Sequence, residues 1–282
     1  MVAPANASAG RLVAGSSSRL AAPAGSRPAA VARAPSPSVF RSKPDECWGV
    51  SRQIAGTRRP ILRPMNPFPD RREAGRQLAH ELANFANRPD VVVFAIPRGG
   101  VPVAFEVARA LDAPLDVLLV NKVYAPGDVH IGTVASRGYA VFDPDTIAAR
   151  GIDPVVAQRE MARARRDIAD QERIYASGRR PIEVYGRTAI VIYDGIVTGA
   201  LMRVAVAALR ARGAARVIVA APVVAPNAVA ELATVADACI AVATPEPFYR
   251  IGIWYADFAP VTDASVLFLL ERAALTRSAA AA

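Results

Sequence analysis

The chain of 282 residues holds two cysteines, two histidines and two tryptophans, and its aromatic content is 6%. Cys47 and Cys239 are too few for a disulfide framework and lie outside any metal-ligand spacing, which fits a cytoplasmic protein. His80 and His130 have no partner at catalytic spacing; His80 reads as an exposed helix residue and His130 as part of a loop. No apolar run reaches the ~20 residues that a membrane-spanning helix needs, so no membrane partner is expected. Blocks of like charge are missing from most of the chain. The net charge of +9 resides almost wholly in residues 1–65, which carry ten Lys or Arg against Asp45 and Glu46, whereas residues 66–282 carry 24 basic and 23 acidic side chains. A nearly neutral remainder offers no basic stripe for a phosphate backbone, and a nucleic-acid partner is not expected.

Residues 1–65 are rich in Ala, Ser, Pro, Gly and Arg and show no periodic apolar pattern. Such a stretch cannot bury enough surface to offset its ordering entropy. Translation starting at Met65 is the preferred reading of this segment, over a disordered basic tail or an organellar targeting segment.

From residue 66 the pattern alternates between helix and buried strand. Asp70 can cap a helix carrying Ala74, Leu78, Leu82 and Phe85 on one face. Apolar runs at 91–96, 115–121, 189–192, 215–224 and 238–244 have no helical spacing and suit strands covered on both faces. Helical stretches follow them at about 101–111, from about 200, at 226–235 and at 263–273. The alternation predicts an α/β fold, Rossmann-like, with a mostly parallel twisted sheet and ligands at the carboxyl ends of its strands. Residues 123–136, with Ala125-Pro126-Gly127-Asp128, read as a long mobile loop, and 153–175 as a charged, mostly solvated helix able to contribute to a homo-oligomer interface.

The segment AIVIYDGIVTGALMRVAVAALR, residues 189–210, carries the most chemistry. A strand leads into a loop with Asp194, Gly195, Val197, Thr198 and Gly199, and a helix opens near Ala200. Backbone N–H groups at a helix N-terminus favour an anion, and a carboxylate beside them accepts hydrogen bonds from sugar hydroxyls. The pair suits a sugar phosphate. No Gly-Lys-Ser/Thr follows Gly195, so the loop is not a P-loop. At an earlier strand end, Arg98-Gly99-Gly100 pairs an anion-clamping guanidinium with two glycines that let a ligand approach the backbone. Lys122 closes the next strand.

The 189–210 segment resembles the phosphoribosyl-diphosphate motif of type I phosphoribosyltransferases at Asp194, Gly195, Thr198 and Gly199. It departs from that motif at Tyr193, where an acid is usual, and at Leu201, where a hydroxyl residue is usual. Arg98-Gly99-Gly100 resembles the pyrophosphate loop of the same family, and Thr-Pro-Glu-Pro-Phe-Tyr with Trp-Tyr-x-Asp-Phe resembles the C-terminal region of a bacterial subfamily. The resemblance implies a small hood beside the sheet. It also implies transfer of ribose 5-phosphate from phosphoribosyl diphosphate to a base or amine acceptor, with release of pyrophosphate. Asp194 and Lys122 would be catalytic; Arg98, Gly99, Gly100, Tyr193, Asp194, Gly195, Val197, Thr198, Gly199 and Leu201 would form the phosphoribosyl-diphosphate site. Phe248, Tyr249 and Trp254 are candidates for stacking the acceptor. Magnesium (Mg2+) would arrive on the diphosphate and water without direct protein ligands. The departures at Tyr193 and Leu201 keep a second reading open, a non-catalytic sensor that binds phosphoribosyl diphosphate or a nucleotide in the same pocket. A phosphate-ester hydrolase ranks below both, since neither a metal cluster nor a nucleophile triad is evident.

Overall fold

A computed structural model describes residues 68–176 and 181–280. Expectations for residues 1–65, including Cys47 and a start at Met65, lie outside the described residues. The first helix, α1 (Arg71–Glu81), begins where expected: the Asp70 carboxylate accepts from the Glu73 N–H at 2.8 Å. Its inner face buries Ala74, Leu78 and Ala79. Then come β1 (Val91–Ala95), α2 (Gly100–Leu111) and β2 (Leu115–Val117). After an excursion into a second sheet the chain returns with β6 (Thr188–Ile192), α5 (Ala200–Ala211), β7 (Arg216–Val223), α6 (Pro226–Leu232), β8 (Ala238–Ala243) and α7 (Asp263–Ala280).

The five strands β2-β1-β6-β7-β8 pair in parallel throughout. Both faces are covered, which explains the unbroken apolar runs. Val91, Val93, Ala95, Ile190 and Ile192 pack under α1, α2 and α7, while Val92, Phe94, Ala189 and Val191 pack under α5 and α6. The strand order reverses between β1 and β6, so the crevice outside their carboxyl ends is the topological switch point of the sheet. Gly99 and Asp194 both lie there. Among the described residues, no helix is long and apolar enough to cross a membrane.

Two sequence expectations are corrected. The run 115–121 is not one strand: β2 stops at Val117, and Val120 opens β3 (Val120–Ala125) in another sheet. Residues 123–136 are not a long loop but most of a three-stranded antiparallel sheet with β4 (Val129–Ala135) and β5 (Tyr139–Phe142). Gly127 and Asp128 adopt positive φ, 81° and 56°, so the Pro-Gly-Asp string is a hairpin turn with Ala125 facing Val129. Alternation in β3 buries Val123 and Ala125 and exposes Lys122 and Tyr124. The helix expected at 153–175 is α4 (Pro154–Ala176), preceded by the short α3 (Pro144–Ala149). It is not merely solvated, because Ala157, Met161, Ile168 and Tyr175 are buried in the core shared with Ile131 and Val134 of β4.

Candidate active site

The loop after β6 places Asp194 at the strand's carboxyl end, 4% exposed. Its Oδ2 accepts from Arg71 Nε at 2.9 Å, an ion pair whose side chains are 11% and 6% exposed. Arg71 is the first residue of α1, so the helix capped by Asp70 delivers this guanidinium to the site. Its guanidinium carbon also lies 3.8 Å from the Phe258 ring centroid, and Nη1 donates to the Ala259 carbonyl at 2.9 Å. On the other side the Tyr255 hydroxyl donates to the Asp194 backbone carbonyl at 2.5 Å. The carboxylate is therefore held from α1 and its peptide from the segment after β8.

The two glycines at the start of α2 serve packing within the chain itself. A Cβ at Gly99 would collide with Asp194 Oδ2, and one at Gly100 would lie 2.8 Å from the Ile192 carbonyl oxygen. They admit a carboxylate and a strand end. Gly195 plays the same part toward the C-terminal segment: a Cβ there would lie 2.6 Å from Ile251 Cγ2. Gly199 precedes α5 with φ 71°, a left-handed conformation that favours glycine. Val197 and Thr198 are exposed beside it, next to N–H groups that a helix start leaves without intrahelical acceptors. Leu201 packs partly buried against the core under α5 and α6, which accounts for an apolar side chain where a hydroxyl is usual.

A cavity of about 750 Å³ opens at this point, lined by Arg71, Gly99, Tyr193, Asp194 and Val197 on one side. Tyr249, Arg250, Ile251 and Phe258 line the other. Burial pushes the Asp194 carboxyl above its ordinary value, with Arg71 pulling the other way. Tyr193, half-buried, is raised by burial and then by the neighbouring Asp194 charge, so it stays a neutral phenol. The volume suits a nucleotide-sized ligand.

Other expected site residues stand apart. Arg98 pairs with Asp263 Oδ1 at 2.9 Å, and the Tyr175 hydroxyl reaches the same oxygen at 2.5 Å. With Asn121 these side chains line a second cavity of about 370 Å³. Arg98 and Gly99, adjacent in sequence, thus line different cavities. Lys122 is exposed on β3 opposite Thr133 and lines neither. Of the acceptor candidates, Tyr249 is 77% exposed at the rim of the larger cavity. Phe248 and Trp254 instead pack on each other, ring centroids 6.2 Å apart, because both belong to the apolar cluster with Val223 and Ala243. His80 is exposed on α1 as expected, and His130 lies in β4 beside the Tyr124 ring rather than in a loop. Sequence reasoning missed Arg71, Arg250 and the direct part of Tyr255 and Phe258. The last two stood in the aromatic string; nothing in the spacing marked Arg71, 123 residues from its partner.

The described residues do not form a protein-held metal site. Among the described residues no three His, Cys, Asp or Glu side chains converge, and the Asp194 carboxylate is taken by Arg71.

Comparisons with known proteins bear on this arrangement. A family model described as phosphoribosyl transferase domain matches residues 69–243. Two proteins of Mycobacterium tuberculosis strains, each named "Putative phosphoribosyl transferase", are 37% identical over 211 residues, which is 74% of this chain and 47% of theirs. The chain spans about half the length of these curated relatives. The crystal structure of TT1426 from Thermus thermophilus is 39% identical and covers 73% of this chain and 98% of its own, with a TM-score of 0.64. The matched region runs through the whole parallel sheet and contains the Asp194 loop, and the chain belongs to the phosphoribosyl transferase domain family.

Proposed function

We propose that this chain is a phosphoribosyltransferase that moves ribose 5-phosphate from phosphoribosyl diphosphate to a nitrogenous acceptor, releasing pyrophosphate. The observation that carries the reading is the buried Asp194 carboxylate at the switch point, lining a 750 Å³ cavity just ahead of Ala200, the exposed start of α5. The 5′-phosphate would rest on the N–H groups and hydroxyl of Val197, Thr198 and Gly199. Asp194 would accept from the ribose hydroxyls. The bond from ribose C1 to the diphosphate oxygen breaks, the electron pair leaves with the diphosphate, and the acceptor nitrogen supplies the pair for the new bond and gives up its proton to water. Positive charge on the ring rises in between, and a carboxylate oriented near it is stabilising. Tyr249 offers a face for the acceptor. Arg98, in the neighbouring cavity, is the candidate for an anionic leaving group; Lys122 receives no part from its position. Magnesium would enter only on the diphosphate with its own waters, and a cytoplasmic setting belongs to the same reading.

Tyr193 sets the expected strength of the site. A neutral phenol in place of an acid forgoes a charge-assisted hydrogen bond, a difference of about 1–2 kcal/mol, or roughly 5- to 30-fold in affinity. Calorimetric titration of the full chain with phosphoribosyl diphosphate and magnesium should give saturable binding, and Tyr193→Asp should tighten it within that range. A protein that binds in neither form contradicts the assignment of the site.

A further inference from the structure

The Arg71–Asp194 ion pair joins three parts of the chain that lie far apart in sequence and meet at the site, where Tyr255 also bonds to the Asp194 peptide. Asp194 comes from the end of β6, Arg71 from the first turn of α1, and the Phe258 ring and Ala259 carbonyl that immobilise the guanidinium come from the segment before α7. Both charged side chains are nearly buried, so water screens the pair weakly. We propose that Arg71 is the positioning residue of the ribose-binding carboxylate: its guanidinium, stacked on Phe258 and anchored to the Ala259 carbonyl, fixes the orientation of Asp194 over Gly99. This rests on the reading of Asp194 as the ribose residue given above.

Geometry supplies two reasons why the carboxylate depends on Arg71. Gly99 leaves Asp194 Oδ2 a space and no donor, since a Cα hydrogen is a poor substitute for an N–H. The remaining titratable and charged groups around it are Tyr193, Tyr255 and Arg250: two phenols and a guanidinium exposed on the far side of the cavity. Arg71 alone of these donates to the carboxylate, whose only other support among the described residues is a weaker bond from Asp194's own N–H. Without it, a buried carboxylate would face an unscreened desolvation cost and take up a proton instead. A protonated, freely rotating Asp194 would accept poorly from a sugar hydroxyl. Arg71 would thus act on the sugar through Asp194 and leave the phosphate cradle of 195–199 untouched.

The test uses the full chain with Arg71→Met and Arg71→Lys, alone and combined with Asp194→Asn. Two quantities are read: the titration midpoint of the Asp194 carboxyl by carbon NMR, and affinities for ribose 5-phosphate and inorganic phosphate by calorimetry. Arg71→Met should raise the midpoint by about one unit or more and weaken ribose 5-phosphate about tenfold, with inorganic phosphate unchanged. In the Asp194→Asn background the same substitution should add nothing. Arg71→Lys keeps a charge but loses the fork that spans Asp194 and Ala259, so an intermediate loss is expected even if the methionine variant folds poorly. A midpoint that stays put in both variants overturns the inference alone, as does an equal loss of inorganic phosphate or losses that multiply with Asp194→Asn. Wild-type protein that binds inorganic phosphate but not ribose 5-phosphate overturns the ribose reading of Asp194, and this inference with it.

Discussion

A methyl group at Gly99 would claim the space that Asp194 Oδ2 occupies, although the backbone there, with φ −60° and ψ −31°, is one that alanine adopts freely. Gly99→Ala separates packing from conformational strain. We expect α2 to form normally and the carboxylate to be displaced, with phosphoribosyl diphosphate affinity falling on the order of 100-fold for a displacement near 1 Å. Circular dichroism alongside calorimetry reads both halves of that expectation. Cys239 gives a second test at this scale. Burial pushes its thiol up to about 11, so at pH 8 only about one thiol in a thousand is ionised. Its alkylation by iodoacetamide, mapped by mass spectrometry at pH 8, should be far slower than in denaturant and should speed up steeply only as pH rises toward that value. Asp194, Gly195 and Gly199 were legible in the sequence because a strand end, a turn and a helix start are local facts. Arg71 was not, because an ion pair across 123 residues has no local signature. Leu201 was legible as a departure, but its reason, the core beneath α5 and α6, belongs to tertiary packing.

At the scale of elements, the alternating strands and helices of the parallel sheet followed from unbroken apolar runs between turn residues, and their order held from β1 to β8. The small antiparallel sheet did not announce itself. Its strands carry polar residues on one face and meet at Pro-Gly-Asp and Arg-Gly turns, so composition alone reads as loop. The helix α4 explains why that sheet exists: Met161, 2% exposed, reaches within 2.8 Å of where a Cβ at Gly132 would stand. Met161→Ala should remove this contact and leave a cavity under the sheet. The cost should be about 2–4 kcal/mol, read as a lowered urea midpoint with an unchanged slope. The segment between β8 and α7 behaves as part of the site rather than a linker. Tyr255 bonds to the Asp194 peptide, Ile251 presses on Gly195 and Phe258 carries Arg71.

For the whole molecule, the fold places one crevice where the strand order turns, and the two signature loops meet it from β1 and β6. What the fold did not require is the identity of the groups there: a phenol for one acid, a guanidinium on the other. In the proposed reaction the geometry around Asp194 serves orientation and charge together, since Arg71 keeps the carboxylate ionised and aimed at the sugar. The most direct measurement is pyrophosphate release by the full chain, given phosphoribosyl diphosphate, magnesium and a panel of purine, pyrimidine and amine acceptors, with Asp194→Asn run beside it. The account expects acceptor-dependent release that falls by at least about tenfold in Asp194→Asn. Tight binding of phosphoribosyl diphosphate with no release for any acceptor, or release indifferent to Asp194→Asn, would contradict it.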